Sequence, residues 1–220
     1  MDGKASSHQL VEHNLPGQGA NARGLQALGA GFVLLSTSRV YSIPPLANLA
    51  LEYGEAFGFP VRINRCGVLA GAGQFGKADQ GIFTFWLHSW REKRPLQYIG
   101  FDGQGHQVRD CLHPRDLAAL LALQLQAGDD RSKPRLANVS GGAHSAHSLQ
   151  QLSTWCAERW GPNPVSSNPA PRPYDLPWVV LDHAQASSSW GWTPQLSTPT
   201  ILGEIATFAE ENANWIALSA

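Results

Sequence analysis

The chain has 220 residues, a formal net charge of −1 and only 15% charged residues, with its Lys and Arg dispersed. Neither a nucleic-acid footprint nor a basic membrane-binding surface is present, so both partner classes are set aside. A hydrophobic fraction of 43% is enough to bury the core of one large domain, or of a domain with a small satellite.

The segment His8–Leu28 carries Leu10, Val11, Leu15, Leu25 and Leu28 at helix-compatible spacing, with a break expected at Pro16-Gly17. Gly31–Ser36 is a continuous apolar run of strand length, the pattern of a strand buried on both faces. Ser42–Pro45 reads as a loop, Ala47–Phe57 as a short helix and Val61–Arg65 as a strand. A glycine-rich loop follows, and Asp79–Lys93 then carries Ile82, Phe83, Phe85, Trp86, Leu87 and Trp90 at helical spacing. Two short strands, Leu96–Phe101 and Gln107–Leu112, flank a Gly turn. His113-Pro114 opens a Leu-rich helix to Gln126, with the proline in the first turn where its missing N–H does no harm.

Beyond it come a strand at Leu136–Val139, a helix at Ser148–Trp160 and a Pro/Ser/Asn-rich loop over Gly161–Pro173. A brief strand at Trp178–Leu181, a short helix at Asp182–Trp190 and a last helix capped at Thr198-Pro199 complete the chain. Strands alternate with helices throughout, which predicts an α/β fold with a parallel sheet.

No apolar stretch approaches the roughly 20 residues that cross a bilayer, and the opening MDGKASSHQL lacks a signal-peptide core. Three widely spaced cysteines, Cys66, Cys111 and Cys156, fit free thiols in a reducing, cytoplasmic setting. His144-Ser-Ala-His147 has ligand-like spacing but no third partner, so no metal is inferred. Gly71-Ala-Gly-Gln-Phe-Gly76 spells G-x-G-x-x-G, the glycine pattern that lets a backbone approach a dinucleotide pyrophosphate. A true fingerprint opens directly into a helix at its third glycine. Here Gly76 is followed by Lys77-Ala-Asp-Gln-Gly81, a further glycine ahead of the helix, and the acidic residue at a workable distance, Glu92, closes a helix rather than a strand.

Four separated motifs carry more information. They are the Ser36-Thr-Ser-Arg-Val-Tyr41 strand exit, Gln74-Phe75 with Asp79-Gln-Gly81, Gln107-Val-Arg-Asp-Cys-Leu-His-Pro-Arg-Asp116, and Arg172-Pro-Tyr-Asp175 followed by Asp182 and Trp190-Gly-Trp-Thr-Pro194. In this order, from about His8 to Trp215, the chain resembles the NAD-dependent epimerase/dehydratase family of nucleotide-sugar enzymes, extended short-chain dehydrogenases/reductases, and within it the CDP-tyvelose (CDP-paratose) 2-epimerase type. The resemblance implies an incomplete Rossmann-like parallel sheet, with residues 1–66 as the remnant of an NAD-binding domain and 67–220 mainly binding the nucleotide sugar. It implies Thr37 as the hydroxyl on the reacting sugar oxygen, and Gln74, Phe75 and Gln80 as the lining of the sugar pocket. Arg109 would grip the diphosphate and Arg172 with Asp175 the nucleotide side. Tyr41 lies near the family's substrate aromatic, and His113 is expected to orient backbone. Arg109 has a plainer reading as a surface ion pair with Asp110 or Asp116.

In the family NAD removes and returns a hydride on a sugar carbon, a Tyr-x-x-x-Lys pair supplies the base, and members often form dimers. The four tyrosines of this chain, Tyr41, Tyr53, Tyr98 and Tyr174, have no Lys four residues on. No glycine turn after a first strand is found either. Glu52-Tyr53-Gly54 resembles the end of the helix that carries the base, but about three turns upstream lie Ser42, Ile43 and Pro44. The expectation is therefore a nucleotide-sugar epimerase architecture, CDP-sugar favoured, that does not hold NAD and is inactive alone. The competing expectations are a non-catalytic nucleotide-sugar-binding or partner module, possibly a homodimer, and an NAD enzyme using Gly71–Gly76.

Overall fold

The computed structural model describes residues 30–37, 44–77, 80–172 and 175–219. The expectations for His8–Leu28, Tyr41 and Ser42-Ile43 lie outside these residues. The described chain is a mixed α/β fold in which most strand pairs are parallel. A first sheet joins β1 (Phe32–Thr37), β2 (Val61–Cys66) and β6 (Leu136–Val139) in that order. Its register runs from Phe32 opposite Val61 to Thr37 opposite Cys66, and from Ile63 opposite Leu136 to Cys66 opposite Val139. A second sheet is built on β5 (Val108–Leu112), which pairs in parallel with β3 (Val68–Leu69) and β9 (Trp178–Val179), and antiparallel with β7 (Ala146–Ser148). A third, two-stranded sheet pairs β4 (Leu96–Ile99) with β8 (Val165–Asn168) in parallel.

One residue, Gly67, separates β2 from β3 and lets the chain pass from the first sheet to the second. A Cβ there would stand 2.5 Å from Oδ2 of Asp110. The absent side chain makes room for a buried carboxylate, which accepts the Leu181 backbone N–H at 3.3 Å. Burial pushes the Asp110 carboxyl above its ordinary range, against the pull of its bonds to Ser140 and Leu181.

The helices begin and end where local chemistry directs. In α1 (Pro44–Phe57) the paired prolines fill the first turn, so the helix starts earlier than the expected loop over Ser42–Pro45 allows. Helix α2 (Ile82–Arg91) starts after Gly81 in a left-handed conformation, φ 72°. Helix α3 (Pro114–Ala127) is capped by the His113 ring, which accepts the Arg115 N–H. Helix α4 (Leu149–Trp160) has a full capping box between Ser148 and Gln151. A short α5 (Ala184–Trp190) precedes α6 (Thr198–Glu211), whose cap is Ser197 rather than the expected Thr198; Thr198 itself is buried inside the first turn. A 3₁₀ turn, Trp215–Ser219, follows α6.

The largest core lies among α2, α4 and α6, where Phe83, Trp86, Leu87, Leu152, Ile201 and Ile205 are buried. Ser153 serves it as a polar hub: the Trp86 indole donates to its hydroxyl at 3.0 Å and Tyr98 at 2.7 Å. A second cluster packs α3 and α5 on β6 through Leu117, Leu120, Val139 and Trp190, and a third packs α1 on β2 through Ala50, Val61 and Ile63. The reading of β1 as buried on both faces is corrected. Phe32, Val33 and Leu34 are only half-buried and Leu35 is 47% exposed. Among the described residues β1 has a neighbouring strand on one edge only.

Candidate functional site

The residues singled out from the sequence fall into three groups. Arg109, on β5, donates from Nη2 to Oδ1 of Asp175 at 2.6 Å and from Nη1 to its neighbour's carbonyl, Val108 O, at 2.7 Å. Both partners of the ion pair keep 22% of their side-chain surface exposed. Asp175 is tied in turn to Arg172, whose carbonyl accepts its N–H at 3.4 Å. Thus Arg109, Arg172 and Asp175, up to 66 positions apart, are joined in one turn-and-strand unit. The ion pair found for Arg109 is to Asp175, and the Arg109 charge also acts on the Asp110 carboxyl. Asp116 accepts the backbone N–H groups of Gln195 and Leu196, and Asp110 that of Leu181.

The second group sits on the loop that follows β3. The Gln74 amide donates to Leu69 O at 2.9 Å and accepts the Thr84 hydroxyl at 2.9 Å, so both of its polar ends brace the loop against the start of α2. Phe75 is 52% exposed. Gln80 is exposed and exchanges backbone hydrogen bonds with Lys77 at 2.7 and 3.1 Å. Leu69 lies opposite Leu112, so the loop departs beside the C-terminal end of β5. Arg109 is three residues back, about 10 Å down the strand at ~3.3 Å per residue. Thr37, alone, ends β1 with its backbone opposite Cys66.

His113 does orient backbone. Its Nδ1 accepts the Arg115 N–H at 3.0 Å, which leaves Nε2 as the proton-bearing nitrogen, 3.1 Å from Oε2 of Glu204. Glu204 also takes an ion pair from Arg115. The Arg115 hydrogen bond, with His113 adding to it, holds the Glu204 carboxyl below its usual range. The three thiols are buried. Burial pushes Cys66 up to about 11, and Cys111 and Cys156 up to about 12, so none is a thiolate nucleophile at neutral pH. Among the described residues no group of three or more His, Cys, Asp or Glu could hold a metal, and none of the helices is long and apolar enough to cross a membrane.

The glycines of Gly71–Gly76 do not form an open cradle for a dinucleotide. A Cβ on Gly76 would meet the backbone N of Phe85 at 2.5 Å, and one on Gly71 would meet Nε2 of His113 at 3.1 Å. Gly73 turns at φ 73°, and a Cβ on it would lie 3.8 Å from the Phe208 ring. The close approaches that glycine permits are made by the chain itself.

These features place the chain in a class first by fold. The model of the NAD dependent epimerase/dehydratase family matches residues 45–140. Among solved structures, the chain is similar to UDP-glucose 4-epimerase from Thermotoga maritima, solved with UDP-glucose, at 18% identity and TM-score 0.71, covering 86% of this chain and 67% of that one. It is similar to UDP-glucuronic acid 4-epimerase from Bacillus cereus, in complex with UDP-glucuronic acid and NAD, at 18% identity and TM-score 0.71, covering 86% and 65%. UDP-glucose 4-epimerase from Thermus thermophilus, in complex with NAD, gives 20% identity, TM-score 0.71 and coverage of 86% and 67%. The chain shares the Rossmann-like α/β fold of these proteins and spans about two thirds of their length. No curated protein matches it in sequence.

Two residues with a part in this region carry no sequence motif. Glu204 and Trp215 reach the loop and its neighbours from 89 or more positions away. Glu204 lies on amphipathic α6, one turn from the buried Ile201, and Trp215 lies in the 3₁₀ turn beyond that helix.

Proposed function

We propose that this chain is of the nucleotide-sugar epimerase type, that it binds a nucleoside-diphosphate sugar, and that these 220 residues alone do not turn it over. The observation that carries the reading is the joining of Arg172 and Asp175 to Arg109 on β5, the strand whose C-terminal end at Leu112 lies opposite Leu69, where the chain leaves β3 toward the Gln74–Gln80 loop. A cationic group on a strand and a polar loop leaving beside that strand's end suit an elongated ligand with an anionic middle and a polyhydroxylated end. A guanidinium fork recognises phosphate oxygens in pairs, and Arg109 already has its fork oriented by the Asp175 carboxylate. The sugar would lie toward Phe75 and Gln80, with Thr37 at the end of β1 as the hydroxyl for a sugar oxygen. The family match and the folds of the UDP-sugar-binding neighbours support this reading. A CDP-sugar is favoured over a UDP-sugar on the Gln74-Phe75 and Asp79-Gln80-Gly81 pattern.

Turnover in such enzymes needs NAD and a Tyr/Lys base. The glycine loop is filled by His113, Phe85 and Phe208, and no Tyr has a Lys four residues on. No step is therefore assigned to this chain beyond binding and orienting. In this reading residues 1–66 correspond to the cofactor side and 67–220 to the sugar-nucleotide side.

Calorimetric titration with CDP-glucose and UDP-glucose tests the reading. Arg109→Ala should weaken binding by about 10- to 100-fold, the range for losing a charged hydrogen bond. Arg109→Lys should restore little, because the point charge lacks the fork. Equal affinity of wild type and Arg109→Ala would remove Arg109 from the site.

A further inference from the structure

The loop assigned to the sugar is held from the far end of the chain. Trp215, in the 3₁₀ turn after α6, lies flat on Phe75, with ring centroids 4.6 Å apart and planes 5° from parallel. Its indole Nε1–H donates to the carbonyl of Gln74 at 3.2 Å. Phe208, one helical turn before the end of α6, stands edge-on to Trp215 at 5.0 Å, its ring 3.8 Å from where a Cβ on Gly73 would lie. Two consecutive residues of the loop, Gln74 and Phe75, are thus met by Trp215, which Phe208 backs. Gln74 adds braces of its own, through Leu69 and Thr84.

We propose that Trp215 is a positioning residue for the substrate loop: it fixes the orientation in which Phe75 is offered to the sugar of the bound nucleotide sugar. The assignment of the loop to the sugar rests on the function proposed above; the clasp itself rests on the contacts alone. A Phe ring that is 52% exposed on a glycine-rich loop has little to hold it in one place. The stack covers one ring face while 52% of Phe75 stays exposed. The indole hydrogen bond fixes the backbone one residue earlier, so ring and backbone are set together. A single aromatic pair and a single hydrogen bond each account for up to about tenfold in a local equilibrium. Together they suffice to make the held loop the dominant state.

The experiment compares wild type, Trp215→Ala and Trp215→Phe in the full chain, by amide hydrogen exchange and by titration with CDP-glucose and UDP-glucose. Trp215→Ala should speed exchange across residues 71–76 by at least about tenfold while exchange in α3 and α4 stays unchanged. It should weaken nucleotide-sugar binding by about tenfold. Trp215→Phe keeps the stack and loses only the indole donor, so it should recover most of both. Unchanged exchange at 71–76 in Trp215→Ala, or exchange raised equally throughout the chain, would overturn the clasp. A loosened loop with undiminished affinity would overturn its role in presenting Phe75. If wild type binds neither nucleotide sugar, the proposed function fails and that presenting role fails with it, while hydrogen exchange still decides the clasp.

Discussion

The region built on α2, α4 and α6 and the sheet formed by β1, β2 and β6 are opposites in how their apolar residues are used. In the first, Ile201, Ile205 and Leu87 have no exposed surface and Trp86 is 2% exposed. Ser153 pairs the Trp86 and Tyr98 donors there, while the His88 ring and the Ser89 hydroxyl are buried without a hydrogen-bond partner among the described residues. In the second, β2 (Val-Arg-Ile-Asn-Arg-Cys) is buried, while the more apolar run Phe32-Val-Leu-Leu35 of β1 stays half-covered. The difference teaches that an apolar run states a preference for burial and cannot by itself supply the neighbour that fulfils it. The elements that carry the proposed sugar-nucleotide site lean on the well-filled region. Thr37, proposed as the hydroxyl for a sugar oxygen, is the last residue of β1.

The comparison can be broken most directly by cavity formation. Ile201→Ala should cost about 2–5 kcal/mol in chemical denaturation, as for a fully buried aliphatic side chain. Leu35→Ala, at 47% exposure, should cost under about 1 kcal/mol, in keeping with a half-solvated site. Similar losses for both would erase the contrast. Gly76→Ala probes the junction of loop and core. With a Cβ 2.5 Å from the Phe85 nitrogen, overpacking should cost about 1–3 kcal/mol. Ser148→Ala removes the α4 capping box and should cost about 1 kcal/mol.

The smallest expected effect is one of pH. His88 is 1% exposed within the filled region and both ring nitrogens lack a partner. Burial lowers its pKa from the ordinary 6.5, outweighing the opposite pull of Glu92 and reinforced by Arg91 and Arg94. Below that value the unfolded chain takes up the proton more readily than the folded one. Stability is therefore full above pH 6.5 and is lost as pH falls below it. His88→Leu should flatten this slope between pH 7 and 5 in urea titrations; an unchanged slope would assign it to other groups.

Much of the fold was legible because periodicity and caps are local. The 3.6-residue pattern of Phe83, Trp86, Leu87 and Trp90 and the Pro114 start of α3 reappear as read, and His113 caps as expected. What escaped has a common cause. Strand β8 is Val-Ser-Ser-Asn, with no apolar alternation, and is defined by its pairing with β4 some 70 residues away. Gly67 acquires its meaning only from Asp110, and Gln74 and Phe75 only from Thr84 and Trp215. The residues of the candidate site could be named from motif order. Their partners, Asp175 for Arg109 and Trp215 for Phe75, depend on contacts between distant segments that no spacing rule encodes.

The central proposal is that these 220 residues bind a nucleotide sugar but neither hold NAD nor turn the sugar over. Parallel calorimetric titrations of the 220-residue chain with CDP-glucose, UDP-glucose and NAD test it most directly. The account predicts saturable binding of a nucleotide sugar, no binding of NAD, and no epimerised product when both are supplied. Saturable NAD binding, or conversion of either sugar nucleotide by the purified chain, would contradict it.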